Sequence, residues 1–166
     1  MYREINDMKL RELGKNEACI LKDFTYEAIY IPDGVEPPDR SIVELPDLRV
    51  YYEDFGSAET DCCIVCEDDG RIVGAVWTRI MDDYGHLEEG VPSFAISMYK
   101  EYRGKGIGTE LMVAMLDLLK EKGYNKASLS VQKENYAVSL YEKVGFRITG
   151  ENEQEYLMVW ENKNSN

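Results

Sequence analysis

Three glycines alternate in the stretch Arg103-Gly104-Lys105-Gly106-Ile107-Gly108-Thr109, with Arg103 and Lys105 set beside them. Glycine lets a backbone come close to a ligand. The first amides of a helix have no intrahelical partner and carry partial positive charge. Glycines leading into a helix therefore make a site suited to phosphate. Three phosphate-binding schemes compete for the stretch. A P-loop needs Gly-x4-Gly-Lys-Ser/Thr, and that spacing is absent. A dinucleotide turn needs Gly-x-Gly-x-x-Gly, but here the third glycine comes one residue early and Thr109 takes its place. The third scheme is a diphosphate held by successive amides without a metal. The plain alternative is a tight turn that starts a helix well.

A second stretch bears on the choice: Asn135-Tyr136-Ala137-Val138-Ser139-Leu140-Tyr141-Glu142-Lys143-Val144-Gly145-Phe146. Arg103 to Gly108 resembles the Arg/Gln-x-x-Gly-x-Gly/Ala motif of the GNAT superfamily of acyl-CoA-dependent N-acetyltransferases. The second stretch is similar to that family's Asn-x-x-Ala/Ser-x-x-Leu-Tyr-x-x-x-Gly-Phe signature, and one helix and one strand separate the two, as the family requires. The good match covers about residues 91–149.

The resemblance implies acetyl-CoA as co-substrate, with Arg103, Gly104, Lys105, Gly106, Ile107, Gly108 and Thr109 cradling its pyrophosphate. It implies that Ile96, Ser97 and Met98 pair with the pantetheine arm, and that the Met98 amide polarises the acetyl carbonyl. Asn135 resembles the residue that contacts the CoA arm; a helix cap is its other reading. Tyr141 resembles the general acid, and a phenol with pKa near ~10 can protonate a departing thiolate. In the family the base is often a glutamate at the start of the pantetheine strand or a water held by polar groups. Pro92 stands at about the glutamate's position here, and Glu89 just upstream is the candidate base, with Glu88 and His86 as alternatives and solvated loop charges as the plain reading. Tyr26, Tyr30, Tyr51, Tyr52 and Trp77 are candidate acceptor walls. Glu36, Asp39, Asp82, Asp83, Glu88 and Glu89 are candidate attractors of an ammonium.

The elements that must position these residues follow from local pattern. Met8–Leu13 alternates like a strand. A helix opens at Lys15 or Asn16 and ends at Pro32-Asp33-Gly34. Four of the five prolines fall in 32–47, an irregular stretch with room for a short helix at 41–53. Cys62–Glu67 and Arg71–Ile80 flank Asp68-Asp69-Gly70 as a hairpin. Val91–Tyr99 is a strand with Phe94, Ile96 and Met98 on one face. A helix runs from Gly106 or Ile107 to Lys122, closed by Gly123. Ala127–Val131 is a strand, Asn135 opens a helix to Val144, and Phe146–Thr149 and Tyr156–Trp160 complete the set. The expected fold is mixed α/β, one mostly antiparallel sheet flanked by about four helices, in a single domain over 1–166 with 91–149 as the acetyl-CoA-binding core and 161–166 as a polar tail.

Nineteen basic and 32 acidic residues give a net charge of −13. That balance disfavours nucleic acid and anionic membranes as partners. It favours a cationic amine, although acidic surfaces are also common in soluble bacterial proteins. No run of ~18 apolar residues occurs, and the first residues lack a signal-peptide pattern, so a cytoplasmic location is expected. Cys62, Cys63 and Cys66 invite a metal reading, but alternation along a strand would point Cys63 and Cys66 to opposite faces. With one histidine in the chain, no metal is expected. Transfer of acetyl to a primary amine by direct attack in a ternary complex is the leading expectation, on a small cationic amine. A protein N-terminal or lysine acetyltransferase and a non-catalytic acyl-CoA-binding module are the alternatives. A homodimer is expected by analogy alone.

Overall fold

The computed structural model describes residues 2–81 and 88–164. The candidates Asp82, Asp83 and His86 lie outside them. Eight strands form one sheet in the order β1-β2-β3-β4-β5-β6-β8-β7. They are β1 (Tyr2–Ile5), β2 (Met8–Glu12), β3 (Cys62–Asp68), β4 (Arg71–Arg79), β5 (Ser93–Met98), β6 (Lys126–Gln132), β7 (Arg147–Glu151) and β8 (Glu155–Glu161). The helices are α1 (Ile20–Glu27), α2 (Pro46–Arg49), α3 (Ile107–Glu121) and α4 (Ala137–Lys143).

Two hairpins at the first edge follow from left-handed turn residues. Asn6 and Asp7 take φ of 48° and 66° between β1 and β2, a strand pair of which only the second strand was expected. Asp69 and Gly70 take φ of 49° and 81° between β3 and β4. α3 lays Leu111, Met112, Met115 and Leu119 fully buried on one sheet face, each contributing roughly 1.5–3 kcal/mol by area. Gly123, at φ 87°, ends that helix where expected.

Cys62, Ile64 and Cys66 face the cluster under α3, while Cys63 and Val65 join Phe24, Leu21 and Trp77 under α1. The thiols are therefore on both faces of β3 and none is disulfide-bonded. Burial holds Cys66 up at about 11 and raises Cys62 and Cys63 as well, so all three stay neutral thiols.

The first helix begins at Ile20, later than the pattern suggested, because Glu17 is drawn to Arg11 and to the Gly14 amide. In place of one helix at 41–53 there is a 3-10 turn, Arg40–Glu44, and the single turn α2.

Candidate active site

All neighbouring strands are antiparallel except β5 and β6. That parallel pair has one registered position, Ser93 opposite Ser128, after which the strands part and leave a fork. Backbone groups alternate sides along a strand. Tyr99 N–H donates across β4 to the Val73 carbonyl, and the Pro92 carbonyl accepts from Ser128 N–H on the β6 side. The N–H and C=O groups of Ile96 and Met98 therefore face the fork. An extended ligand lying there would find the open edge of a strand.

A cleft of about 800 Å³ runs from the fork along the glycine turn. Ile96, Ser97, Met98, Arg103, Gly104, Gly106, Gly108, Thr109, Asn135 and Tyr141 line it. Gly104 and Gly106 take φ of 74° and 83°, a region that strains other residues. A Cβ at either would meet nothing within 4 Å and would project into open space. Gly106 stands at the start of α3 with no side-chain cap on that helix end. The first amides of α3 are thus offered to the cleft, and the residues present fit a phosphate group. Gly108 serves packing: a Cβ there would lie 3.4 Å from both Leu140 Cδ2 and Met98 Cε, so α3 can close on α4 and β5.

The turn's side chains divide differently from the sequence expectation. Ile107 is core, 1% exposed, and Lys105 lies over the Tyr102 ring at 5.4 Å. Neither side chain lines the cleft, which leaves their amides as the groups in question. Arg103 donates through Nε to the Met98 carbonyl at 3.2 Å, and through Nη2 to the Glu27 carbonyl at 3.1 Å and carboxylate at 3.2 Å. It ties the end of α1 to the end of β5. Ser97 turns its hydroxyl to the other face and donates to the Phe24 carbonyl at 2.6 Å. Asn135 Oδ1 accepts from Ala137 N–H at 2.9 Å, but the N-cap of α4 is Tyr136 and Asn135 stands one residue before it; Asn135 also borders the cleft.

A second cavity, about 310 Å³, adjoins the first. Ala28, Ile29, Tyr30, Ile96, Asn135 and Tyr141 border both. Tyr141 is 9% exposed, and among the described residues its hydroxyl has no hydrogen-bond partner. Burial raises the phenol to about 12, so it is protonated at neutral pH. Tyr30, Tyr51 and Trp77 line the second cavity, as their type suggested. Tyr26 and Tyr52 do not: their hydroxyls donate to the Pro38 and Val43 carbonyls at 2.6 and 2.8 Å.

The carboxylates are the main departure. Glu89 is exposed in the turn before β5 and lines neither cavity, and Glu88 pairs with Lys126 at 3.3 Å. Asp39 caps the 3-10 turn at Ser41 N–H. Asp47 and Glu155 line the second cavity instead. Nothing local marked either, since one sits in an irregular segment and the other begins the last strand. A further residue missed by sequence is Arg79. It holds Asp61 through Nε and Nη2, each at 3.2 Å, and donates to the Val50 and Glu53 carbonyls at 3.0 and 2.8 Å. It thereby fixes the segment that carries Tyr51, whose carbonyl accepts from Trp77 Nε1 at 2.9 Å.

A forked mixed sheet, an uncapped glycine-led helix at the fork and a buried phenol between two cavities are the arrangement expected of the acyl-CoA-dependent N-acetyltransferases. The sequence matches the acetyltransferase (GNAT) family over residues 27–146, and the chain belongs to that family. It is 31% identical over 113 residues to N-acetyltransferase 8B of Homo sapiens, covering 68% of this chain and 47% of that protein, so it spans about half that relative's length. It is 30% identical over 122 residues to N-alpha-acetyltransferase 30 of Schizosaccharomyces pombe, covering 73% of this chain and 80% of that protein. It is 27% identical over 162 residues to spermidine N(1)-acetyltransferase of Escherichia coli, covering 96% and 83%. The PaiA N-acetyltransferase of Thermoplasma acidophilum, solved in complex with coenzyme A, shares the fold with a TM-score of 0.68 at 18% identity, over 93% of this chain and 99% of that one. Among the described residues there is no group of acidic, histidine or cysteine side chains able to hold a metal, and no helix long and apolar enough to cross a membrane.

Proposed function

We propose that this chain transfers acetyl from acetyl-CoA directly to a primary amine, a small cationic one in preference. The observation that carries the reading is Tyr141, nine-tenths buried where the glycine-turn cleft meets the second cavity. Acetyl-CoA supplies a thioester, and attack by the amine nitrogen yields the amide, free CoA thiol and no other product. The amides of Gly104 to Thr109 would hold the diphosphate. The Met98 N–H, facing the fork, donates to the carbonyl oxygen as it gains charge.

Tyr141 donates to the departing sulfur. A phenol near 12 stands above an ordinary thiol near ~8.5, so complete transfer of its proton costs about 5 kcal/mol. The proton lost by the amine nitrogen restores the balance, which keeps the phenol neutral through turnover. Glu89 is exposed and borders neither cavity, so the proton of the amine nitrogen leaves to solvent and not directly to that carboxylate.

A relative named for spermidine supports a small amine, and one named as an N-alpha-acetyltransferase supports a protein N-terminus as the second reading. Acetyl transfer to a panel of amines, polyamines, amino acids and peptides, read by product mass, tests both. A product with none of them, together with no saturable acetyl-CoA binding, would reject the proposal.

A further inference from the structure

On the reading just given, the second cavity takes the acceptor, and its lining restricts that acceptor further. Among the described residues the lining holds two carboxylates, Asp47 and Glu155, and no lysine or arginine. Asp47 is exposed in the first turn of α2, at the rim of the cavity, and has no ion-pair or hydrogen-bond partner among those residues. Glu155 is half-buried, and its side chain accepts one long hydrogen bond, from Gln132 Nε2 at 3.4 Å. The two stand 108 residues apart in the chain, on α2 and β8, so the cavity alone brings them to one space. Tyr141, a nine-tenths buried residue whose hydroxyl has no hydrogen-bond partner among the described residues, borders the same space.

Two carboxylates and no cationic side chain at one cavity repel an anionic acceptor and attract a cation. The reacting nitrogen cannot be that cation. It must present a free lone pair to the acyl carbon, and an ammonium has none. A positive charge that persists through the attack therefore sits on a second nitrogen of the same molecule. Tyr51 and Trp77 offer aromatic surface to the methylenes between the two nitrogens and to the ammonium itself. We propose that the acceptor is a small aliphatic diamine or polyamine, with Asp47 and Glu155 holding the remote ammonium while the neutral amine meets the fork beside Tyr141. The two carboxylates are specificity residues, and the charge they select is distinct from the group that is acetylated.

The test compares α,ω-diaminoalkanes of three to six carbons with n-alkylamines of equal length, using the whole chain and acetyl-CoA. Diamines are expected to show kcat/KM at least tenfold higher. Asp47→Asn and Glu155→Gln, singly and together, are expected to raise the diamine KM at least tenfold and bring the diamine-to-monoamine ratio toward one, while acetyl-CoA Kd stays within threefold. Calorimetry of 1,4-diaminobutane with CoA present should show the same weakening. Equal kcat/KM for the two series would overturn the proposal, as would a tripeptide amide outperforming every diamine. A loss of kcat at unchanged KM in Glu155→Gln would overturn its role as an anchor. Absence of transfer to any amine would defeat the acetyltransferase reading itself, and acetyl-CoA binding measured alone separates that failure from the others.

Discussion

Tyr141→Phe separates chemistry from folding. Tyr141 is nine-tenths buried and its hydroxyl has no hydrogen-bond partner among the described residues, so removing that hydroxyl breaks no protein hydrogen bond. A buried polar group without a partner costs roughly 1–3 kcal/mol. Because this one borders two open cavities, the lower figure applies, and Phe is expected to be neutral or to stabilise by up to about 1 kcal/mol. For a chain of this size that is at most about 2–4 °C in Tm. Ring packing against Phe146, with centroids 6.2 Å apart, is kept. Turnover should behave otherwise. Loss of the donor to sulfur should lower kcat at least ~10-fold, equivalent to about 1.4 kcal/mol of barrier. Acetyl-CoA Kd should stay within threefold. Steady-state kinetics, thermal unfolding and equilibrium binding on one preparation decide it. Unchanged kcat would remove Tyr141 from the chemistry. A Tm drop of several degrees would mean the hydroxyl is satisfied in the fold and the reasoning about its burial is wrong.

Three further perturbations probe separate parts of the argument. Gly106→Glu puts a side chain and a negative charge where a Cβ has open space, so CoA binding should be lost in a protein that remains folded by circular dichroism; retained affinity would refute the placement of the cradle. Alkaline stability should report Tyr141: its pKa is raised from about 10 to about 12, so between those values the unfolded chain loses a proton that the folded chain keeps, and stability falls as pH rises. The loss approaches about 2–3 kcal/mol by pH 12, and urea titrations should show it in the wild type minus Tyr141→Phe difference, which a flat difference would contradict. Arg79→Ala leaves the Asp61 carboxylate, 2% exposed, without its cation, and should cost roughly 3 kcal/mol in urea unfolding and raise the acceptor KM more than the acetyl-CoA Kd.

Much of this protein is local and was legible in the residues. The alternating glycines before a helical stripe announce the turn and α3, because left-handed φ and 3.6-residue periodicity need only neighbours along the chain. The Asp69-Gly70 hairpin and the opposed faces of Cys63 and Cys66 follow from equally short-range rules. The Asn6-Asp7 turn obeys the same rule, but the four residues of the strand before it are too short a run to show an alternation.

What tertiary structure decided is convergence. No spacing rule says that β5 and β6 part after one registered pair, yet that fork turns the Met98 amide into an available donor. Nor does any say that Asp47 and Glu155 border one cavity while Glu89, adjacent in sequence to the strand that matters, borders neither. Backbone conformation is set by a residue and its near neighbours. Which carboxylate faces a site depends on sheet register and on how α1 and α2 pack over β4 and β5, sums over contacts far apart in the chain. The sequence alone therefore determined the glycine-led turn and the helix that follows it, and the folded arrangement alone decided which side chains share a cavity beside that turn.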